Sequence, residues 1–147
     1  MNDIHDSIGY LLNISARLLK RNLDSKMVEF DITTSQWAVL KLLSVKATLT
    51  QAQIAEKLNS DRATSGSVIE RLAKKKLILK KTNSTDRRAF DISLSQNGFN
   101  IVDSLTKLAS ESNQQALRGV SECDVKTLYK VLQQITNNLE DNTWNGK

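Results

Sequence analysis

The chain has no proline, five glycines, one cysteine and one histidine among its 147 residues. Proline and glycine both destabilise helix interiors, so their scarcity favours a mainly helical fold. A single cysteine excludes an intrachain disulfide. Together with one histidine, it leaves too few partners for a metal site or for Cys–His or Ser–His catalysis. We therefore predict that the protein is not an enzyme and holds no metal ion or cofactor.

Long hydrophobic runs and a signal sequence are also missing. No apolar stretch approaches the roughly 18 residues that a membrane-spanning helix needs. The first residues, "MNDIHDSIGYLLN", carry acids and lack the basic start of a signal peptide. We predict a cytoplasmic protein without membrane contact, with one domain over residues 1–147.

Positive charge is concentrated in the middle of the chain. Residues 41–91 hold 12 Lys or Arg and 5 Asp or Glu, a net charge of +7. The other residues hold 9 basic and 11 acidic side chains, a net charge of −2. A localised positive field attracts phosphate backbones. Charge alone leaves nucleic-acid binding and a solvated basic surface equally open.

Apolar periodicity predicts long helices at both ends of the chain. Residues 3–28 repeat apolar side chains at the spacing of one helix face. Further helices run from Ser95 to near Gly119 and onward from a Ser121/Asp124 capping box. Such stripes have no obvious partner inside one chain, so residues 1–30 and 95–141 are predicted dimerisation helices. The predicted interface residues are Ile4, Ile8, Leu11, Val125, Leu128, Leu132, Ile135 and Leu139.

Residues 33–94 combine shorter helices with a hairpin. The stretches "TTSQ" and "TQAQ" each supply a capping box that begins a helix. The helices predicted over 50–58 and 61–75 are joined by a tight turn, which is a helix-turn-helix pattern. The β-prone runs "LILKKT" and "AFDISL" flank the turn-rich "NSTDRR". The predicted fold is mainly α with a small β-hairpin wing, a winged helix-turn-helix flanked by long dimerisation helices.

The first two turns of the helix predicted over 61–75 contain only small or polar residues. In a helix-turn-helix, the second helix enters the major groove with its N-terminal residues facing bases. Arg62 can donate to guanine O6 and N7. An ordinary exposed first turn would have the same composition, so this interpretation stays open. The predicted base-facing residues are Arg62, Ala63, Thr64, Ser65, Ser67 and Arg71.

Two adjacent arginines occupy the predicted hairpin loop. Such a loop can place an arginine in a narrow minor groove. Asp86 can accept a hydrogen bond from a guanidinium group and fix its direction, so the predicted wing residues are Asp86, Arg87 and Arg88. The predicted phosphate contacts are Thr50, Gln51, Lys74, Lys75, Lys80 and Lys81.

The chain resembles the MarR/SlyA family of winged helix-turn-helix transcription regulators over almost its whole length. The stretch "LILKKTNSTDRRAFDISLSQNG" is similar to the family's strand–wing–strand–helix signature, and "TSQWAVLKLL", "LTQAQIAEKL" and "SGSVIERLAKKKLI" fit the preceding helices. The resemblance implies a homodimer on a pseudo-palindromic operator, with Arg88 in the minor groove. Lys76 replaces a common glycine, and Ser67 stands where some relatives have a base-reading arginine, so an operator preference does not carry over.

The function predicted from these features is that of a homodimeric transcriptional regulator that binds double-stranded DNA with sequence specificity. The resemblance further implies a repressor released by a small aromatic or phenolic ligand. A ligand cleft could be lined by four residues that could equally serve core packing or lie on the surface: His5, Tyr10, Arg17 and Trp37.

Two alternatives remain open at this point. One is a helical protein-interaction module whose basic face meets an acidic partner. The other is a regulator switched by oxidation of Cys123, which lies in the first turn of the last helix, where the helix dipole favours a thiolate. Its neighbours Glu122 and Asp124 oppose that effect.

Overall fold

The computed structural model describes residues 3–141, so the ends of the predicted domain, residues 1–2 and 142–147, lie outside the described part. Two compact units are present, Met1–Ser112 and Asn113–Lys147. Within the described range there are six α-helices and three strands: α1 (Ile8–Met27), α2 (Thr34–Lys46), β1 (Thr48–Thr50), α3 (Gln51–Lys57), α4 (Arg62–Lys74), β2 (Ile78–Thr82), β3 (Phe90–Leu94), α5 (Gln96–Ala116) and α6 (Glu122–Glu140). This confirms the mainly helical fold with a hairpin wing.

The hydrophobic core of the first unit lies where α2, α3 and α4 meet the small sheet. Burial of such side chains contributes roughly 1.5–3 kcal/mol each. Ile69 and Leu72 project from α4 into this core, whereas Val68 is half-buried. The largest fully buried side chains are Met27, Val39, Leu40, Leu43, Ile54, Ile69, Leu72, Ile92 and Leu105.

Two of the three predicted capping boxes are complete. Thr33 accepts a hydrogen bond from the Gln36 N–H, and the Gln36 side chain in turn accepts one from the Thr33 N–H at the start of α2. The same exchange begins α3 at Thr50. These bonds satisfy N–H groups that helix starts leave free, so local sequence fixes where both helices begin.

The first predicted helix is interrupted near its start. A 3-10 turn covers Ile4–Asp6, and Ser7 is extended at φ −71° and ψ 129° before α1 begins. The interruption follows from Asp3, whose side chain accepts from the His5 N–H and caps the short turn separately. The C-terminal part of α1 is tied to α2, because Asp24 accepts from the Thr34 N–H at 2.6 Å.

Asp24 stays ionised in this setting. Partial burial opposes its charge, but hydrogen bonds from Lys20 and Thr34 outweigh that effect and hold the pKa of Asp24 below its ordinary value. Its link to α2 is therefore complete at neutral pH.

The sheet contains one strand more than the predicted hairpin. Its order is β1-β3-β2, with both pairs antiparallel. β1 has three residues, too few for an alternating pattern to identify it. Because β3 lies in the middle, the hairpin is anchored on one side to the strand that leads into α3.

Backbone geometry at the end of α4 explains why glycine is common at position 76 in proteins that this chain resembles. Lys76 has φ of 61°, in the left-handed region that glycine adopts without strain. Glycine is therefore the favourable residue at this position, and the lysine of this chain is accommodated at a cost in backbone strain.

In the second unit, α6 begins with Ser121, whose side chain accepts from the Asp124 N–H, which is one of the two hydrogen bonds of the predicted capping box. No side chain of α6 is buried within the described part of the chain. Leu128 is 42% exposed and Leu139 is 78% exposed. Cys123 is also exposed. No helix among residues 3–141 combines the length and apolarity needed to cross a membrane.

Gly98 should be the glycine least tolerant of a side chain. A Cβ there would lie 2.3 Å from the Leu77 carbonyl oxygen, in backbone that cannot move freely. We expect Gly98→Ala to lower the free energy of unfolding by about 1–3 kcal/mol or more in urea denaturation.

Gly9→Ala is the matched control. Its Cβ would meet only the Ser7 hydroxyl, at 3.8 Å. The alanine should be neutral or stabilise α1 by up to about 1 kcal/mol. Equal unfolding midpoints for Gly98→Ala and the wild type would contradict the close approach.

Candidate nucleic-acid interface

The exposed face of α4 carries the side chains that sequence analysis predicted to face bases. Asp61 fixes the helix start, because its carboxylate accepts from the Thr64 N–H at 2.7 Å and the Thr64 hydroxyl at 2.8 Å. These hydrogen bonds hold the pKa of Asp61 below its ordinary value. Five of the six predicted residues are exposed on this face: Arg62, Ala63, Thr64, Ser67 and Arg71.

Ser65 is the exception. It is only 3% exposed, so its side chain points into the protein and is not available to a base. The residue is small enough to pack where α4 approaches the rest of the core. A short polar side chain gives no periodic signal, so the sequence alone did not show that Ser65 is buried. Its prediction as a base-facing residue was therefore wrong.

The wing holds the predicted Asp86–Arg88 pair. The Asp86 carboxylate accepts from the Arg88 N–H at 3.0 Å and from the Arg88 side-chain Nε at 3.5 Å. The Arg88 side chain is nevertheless 94% exposed, so its guanidinium group projects into solvent. Arg87 is exposed as well. Asp86 therefore orients the part of Arg88 nearest the backbone, while the guanidinium group of Arg88 stays accessible.

Asn83 is a residue of the wing that sequence analysis did not single out. Its side-chain oxygen accepts from the N–H groups of Thr85 at 2.9 Å and Asp86 at 3.0 Å. Its side-chain nitrogen donates to Asp91 on β3 at 2.8 Å. Asn at the start of a turn commonly bonds the backbone two residues on, and that tendency was the signal in the sequence.

An open groove of roughly 580 Å³ separates the wing from the starts of α3 and α4. Gln51 crosses close to α4 here, and a Cβ on Gly66 would lie 2.8 Å from its side-chain nitrogen. The groove places Arg62 and Arg88 on the walls of one concave surface. Its lining residues are Thr50, Gln51, Ala52, Arg62, Asp86, Arg88, Ala89 and Phe90.

Two of the predicted phosphate-binding lysines are engaged by other residues of the chain. Nζ of Lys75 donates to Gln36 at 3.0 Å and to the Asp31 carbonyl oxygen, and its side chain is 26% exposed. Nζ of Lys80 lies 2.8 Å from Glu70 and 5.1 Å from the Phe90 ring centre.

These contacts revise the predicted set of phosphate contacts. Lys80 also lowers the pKa of Glu70, so that ion pair is complete at neutral pH. Lys75 and Lys80 therefore serve local packing, whereas Lys74 and Lys81 are exposed. The Thr50 hydroxyl already accepts from the Gln53 N–H, which leaves its proton free to donate.

The four residues predicted for a ligand cleft differ in their surroundings. His5 is exposed beside Asp3 and meets the Tyr10 ring edge-on at a centroid distance of 5.1 Å. Arg17 is exposed, and Trp37 is 8% exposed within the core, which corrects its assignment to a cleft.

A different cavity of roughly 520 Å³ lies between α1, α2 and the exposed face of α4. Two cationic side chains and several hydroxyl groups face it, which suits an anion. None of the four predicted cleft residues lines it: the lining comprises Lys20, Thr33, Ser35, Gln36, Ala63, Thr64, Ser67, Val68 and Arg71. Among residues 3–141, no group of three or more His, Cys, Asp or Glu could hold a metal ion.

Known proteins share this architecture. Residues 32–90 match the model of the MarR family. A probable transcriptional regulator from Pseudomonas aeruginosa is 29% identical, with 90% of this chain and 99% of that chain aligned at a TM-score of 0.83. A mutant of MarR from E. coli, complexed with operator DNA, is 22% identical, with 91% and 99% aligned at a TM-score of 0.83.

A third structure, from Bordetella bronchiseptica, concerns regulation of DNA binding of BpsR by 6-hydroxynicotinic acid. It is 20% identical, with 92% of this chain and 97% of that chain aligned at a TM-score of 0.86. The family match covers the helix-turn-helix and wing, and the structural matches extend over nearly the whole chain. Residues 32–90 are therefore similar to the MarR family, and nearly the whole chain is similar in fold to solved transcriptional regulators.

Proposed function

We propose that the protein is a homodimeric transcriptional repressor that binds a pseudo-palindromic operator in double-stranded DNA. The observation that carries the proposal is that Arg62 of α4 and Arg88 of the wing line the same groove. One element thereby addresses the major groove while the other addresses an adjacent minor groove. The similar fold of the E. coli MarR mutant that is complexed with operator DNA supports this assignment.

On α4, shape and chemistry both suit the major groove. Ala63, Thr64 and Ser67 are short and exposed, so the helix backbone can approach base edges closely. Arg62 can donate two hydrogen bonds to guanine, and Arg71 lies further along the same exposed face. Burial of apolar side chains on the opposite side holds the helix in the core, so its exposed face is free for DNA.

The wing supplies a second, shape-dependent contact. A narrow A·T-rich minor groove concentrates negative potential and attracts an inserted arginine. Arg88 suits such an insertion, because Asp86 orients the part of the residue nearest the backbone while the guanidinium group stays in solvent. Further contacts to phosphate come from exposed or donor-bearing side chains around the wing and the start of α3: Lys74, Lys81, Gln51 and Thr50.

Dimerisation is supported by apolar side chains that the described part of one chain leaves exposed. Near the N-terminus Ile4, Ile8 and Leu11 are 65%, 64% and 48% exposed. On α6, Leu128 and Leu139 are exposed, and the remaining predicted seam residues, Val125, Leu132 and Ile135, are half-buried. Apolar stripes of this extent usually mark interaction surfaces. A second copy is the simplest partner, since it carries the same stripes.

Release by a small aromatic or phenolic anion is the regulatory part of the proposal. The cavity beside α4 offers Arg71 to a carboxylate and hydroxyl groups to a phenol, and Lys20, which also pairs with Asp24 at 2.8 Å, adds positive charge at its edge. Ala63, Thr64 and Ser67 belong to both the cavity and the base-facing surface, so a ligand there would compete with DNA. The relative from Bordetella bronchiseptica, described as regulated by 6-hydroxynicotinic acid, supports control by a ligand of this class.

The proposed function is tested with the DNA upstream of the chain's own gene. Gel-shift titration at physiological salt should give tighter binding to that DNA than to random sequence, and added protein should lower transcription from it in vitro. A fragment selected from a random DNA pool would replace the upstream DNA if the operator lies elsewhere. Equal affinity for selected and random DNA would overturn sequence-specific regulation and favour the protein-interaction alternative.

Arg88→Ala should weaken operator binding by about 1–3 kcal/mol with an unchanged unfolding midpoint, because the side chain is exposed. Arg87→Ala removes the same charge from the same loop and should cost less. Isothermal titration or gel shift measures both. Equal losses in the two variants would show that the wing contributes charge alone.

Leu128→Asp should shift the protein towards monomer, because it places a charge in an apolar seam. Gln133→Asp introduces the same charge at an exposed polar position of α6 and should leave the dimer intact. Sedimentation velocity distinguishes the two states. A Leu128→Asp variant that stays dimeric would place the interface elsewhere.

Lys20→Met should weaken the effect of a phenolic anion without weakening operator binding. Lys20 lines the cavity from α1 and is not part of the proposed DNA contacts. With 4-hydroxybenzoate as the probe, the concentration that halves operator binding should rise several-fold in the variant. Release of both proteins at the same concentration would exclude this cavity as the effector site.

A further inference from the structure

We propose that Asn83 is the positioning residue for the wing arginine, acting through Asp86. The inference rests on the proposed function, because it concerns how Arg88 is presented to DNA. It assigns a role to a side chain that does not itself need to touch DNA. Three linked contacts carry it, running from β3 to the loop tip.

The first contact ties the loop to the sheet. The Asn83 side-chain nitrogen donates to the Asp91 carboxylate at 2.8 Å, and the Asn83 backbone N–H donates to the Ala89 carbonyl at 3.0 Å. Asp91 belongs to β3, which is paired on both sides by β1 and β2. Asn83 is thus held by the most constrained strand of the sheet and is half-buried, unlike the residues that follow it.

The second contact sets the path of the loop. The Asn83 side-chain oxygen accepts from the Thr85 N–H at 2.9 Å, the Thr85 hydroxyl at 2.7 Å and the Asp86 N–H at 3.0 Å. An ionised carboxylate only accepts hydrogen bonds, and a backbone N–H only donates them. Asn83 must therefore offer one donor and one acceptor in these two directions, which matches the asparagine amide.

The third contact reaches the arginine. Asp86 accepts from the Arg88 N–H at 3.0 Å, and the Asp86 carbonyl accepts from the Ala89 N–H at 3.1 Å. The Arg88 side chain has no packing to hold it, since it is 94% exposed. Its direction therefore depends on Asp86, whose backbone position depends on Asn83. Fixing this geometry before binding removes part of the ordering cost that DNA binding would otherwise carry.

The first experiment measures operator affinity in a double-mutant cycle of Asn83→Ala and Arg88→Ala. If Asn83 acts through Arg88, Asn83→Ala should lose on the order of tenfold in the wild-type background and almost nothing in the Arg88→Ala background. Ser84→Ala, at the exposed neighbouring position, is the control and should bind as the wild type does. Equal losses from Asn83→Ala in both backgrounds, or no loss in either, would overturn the inference.

A charge-conserving exchange provides the second experiment. Asn83→Asp alone puts two carboxylates side by side and should weaken binding at least as much as Asn83→Ala. Adding Asp91→Asn restores one donor and one acceptor with the net charge of the wild type. Affinity in the double variant should return to within about threefold of the wild type. A double variant no better than Asn83→Asp would contradict the proposed hydrogen-bond relay.

A third measurement needs no DNA. Amide hydrogen exchange at Thr85 and Asp86 should accelerate in Asn83→Ala and recover in the exchanged pair, because their N–H groups lose and regain an acceptor. Unchanged exchange would overturn the inference, whatever the DNA result. A wild-type protein that fails to prefer its operator would instead overturn the proposed function, so the two failures are distinguishable.

Discussion

Hydrogen bonds of Ser95 join three parts of the first unit: the end of α4, the start of the hairpin and the first turn of α5. The Ser95 hydroxyl donates to the Lys76 carbonyl at 2.7 Å and accepts from the Gly98 N–H at 3.1 Å, while the Ser95 N–H donates to the Leu77 carbonyl at 3.0 Å. Lys76 and Leu77 connect α4 to the hairpin, and Gly98 lies in the first turn of α5. These bonds fix the end of α4, the start of β2 and the start of α5 at one point. The close approach of α5 to the Leu77 carbonyl requires glycine at position 98.

Electrostatics in the first unit divide into charges used internally and charges left free. The basic middle of the sequence suggested a localised positive field for phosphate, but within it Lys75 holds the Asp31 loop and Lys80 is bound to Glu70. Four arginines remain exposed around α4 and the wing: Arg62, Arg71, Arg87 and Arg88. A guanidinium group recognises base edges and phosphates through paired hydrogen bonds, whereas the exposed lysines beside it, Lys74, Lys76 and Lys81, act as point charges. The surface around α4 and the wing therefore combines directional donors with general positive charge.

The sequence predicted the fold almost completely, because several helix starts carry a local signal. Capping at Thr33, Thr50 and Ser121 involves residues three apart, so short stretches of sequence suffice to predict it. The errors have a different origin. Lys75 bonds a residue 44 positions away, and Ser65 is buried by neighbours from other elements, so neither outcome is written in local sequence. The three-residue β1 and the break at Ser7 fall below the length at which periodicity is informative.

The division of α4 into a buried face and an exposed face has a consequence for divergence among related proteins. Ile69 and Leu72 carry the stability of the helix, whereas Ala63, Thr64 and Ser67 are exposed and contribute little to the core. If these positions face bases as proposed, substitutions there change the preferred DNA sequence at small thermodynamic cost. The same scaffold can acquire a new target site by single replacements, without passing through an unstable intermediate. Ser67, where some relatives are expected to carry arginine, illustrates such an exchange on an unchanged frame.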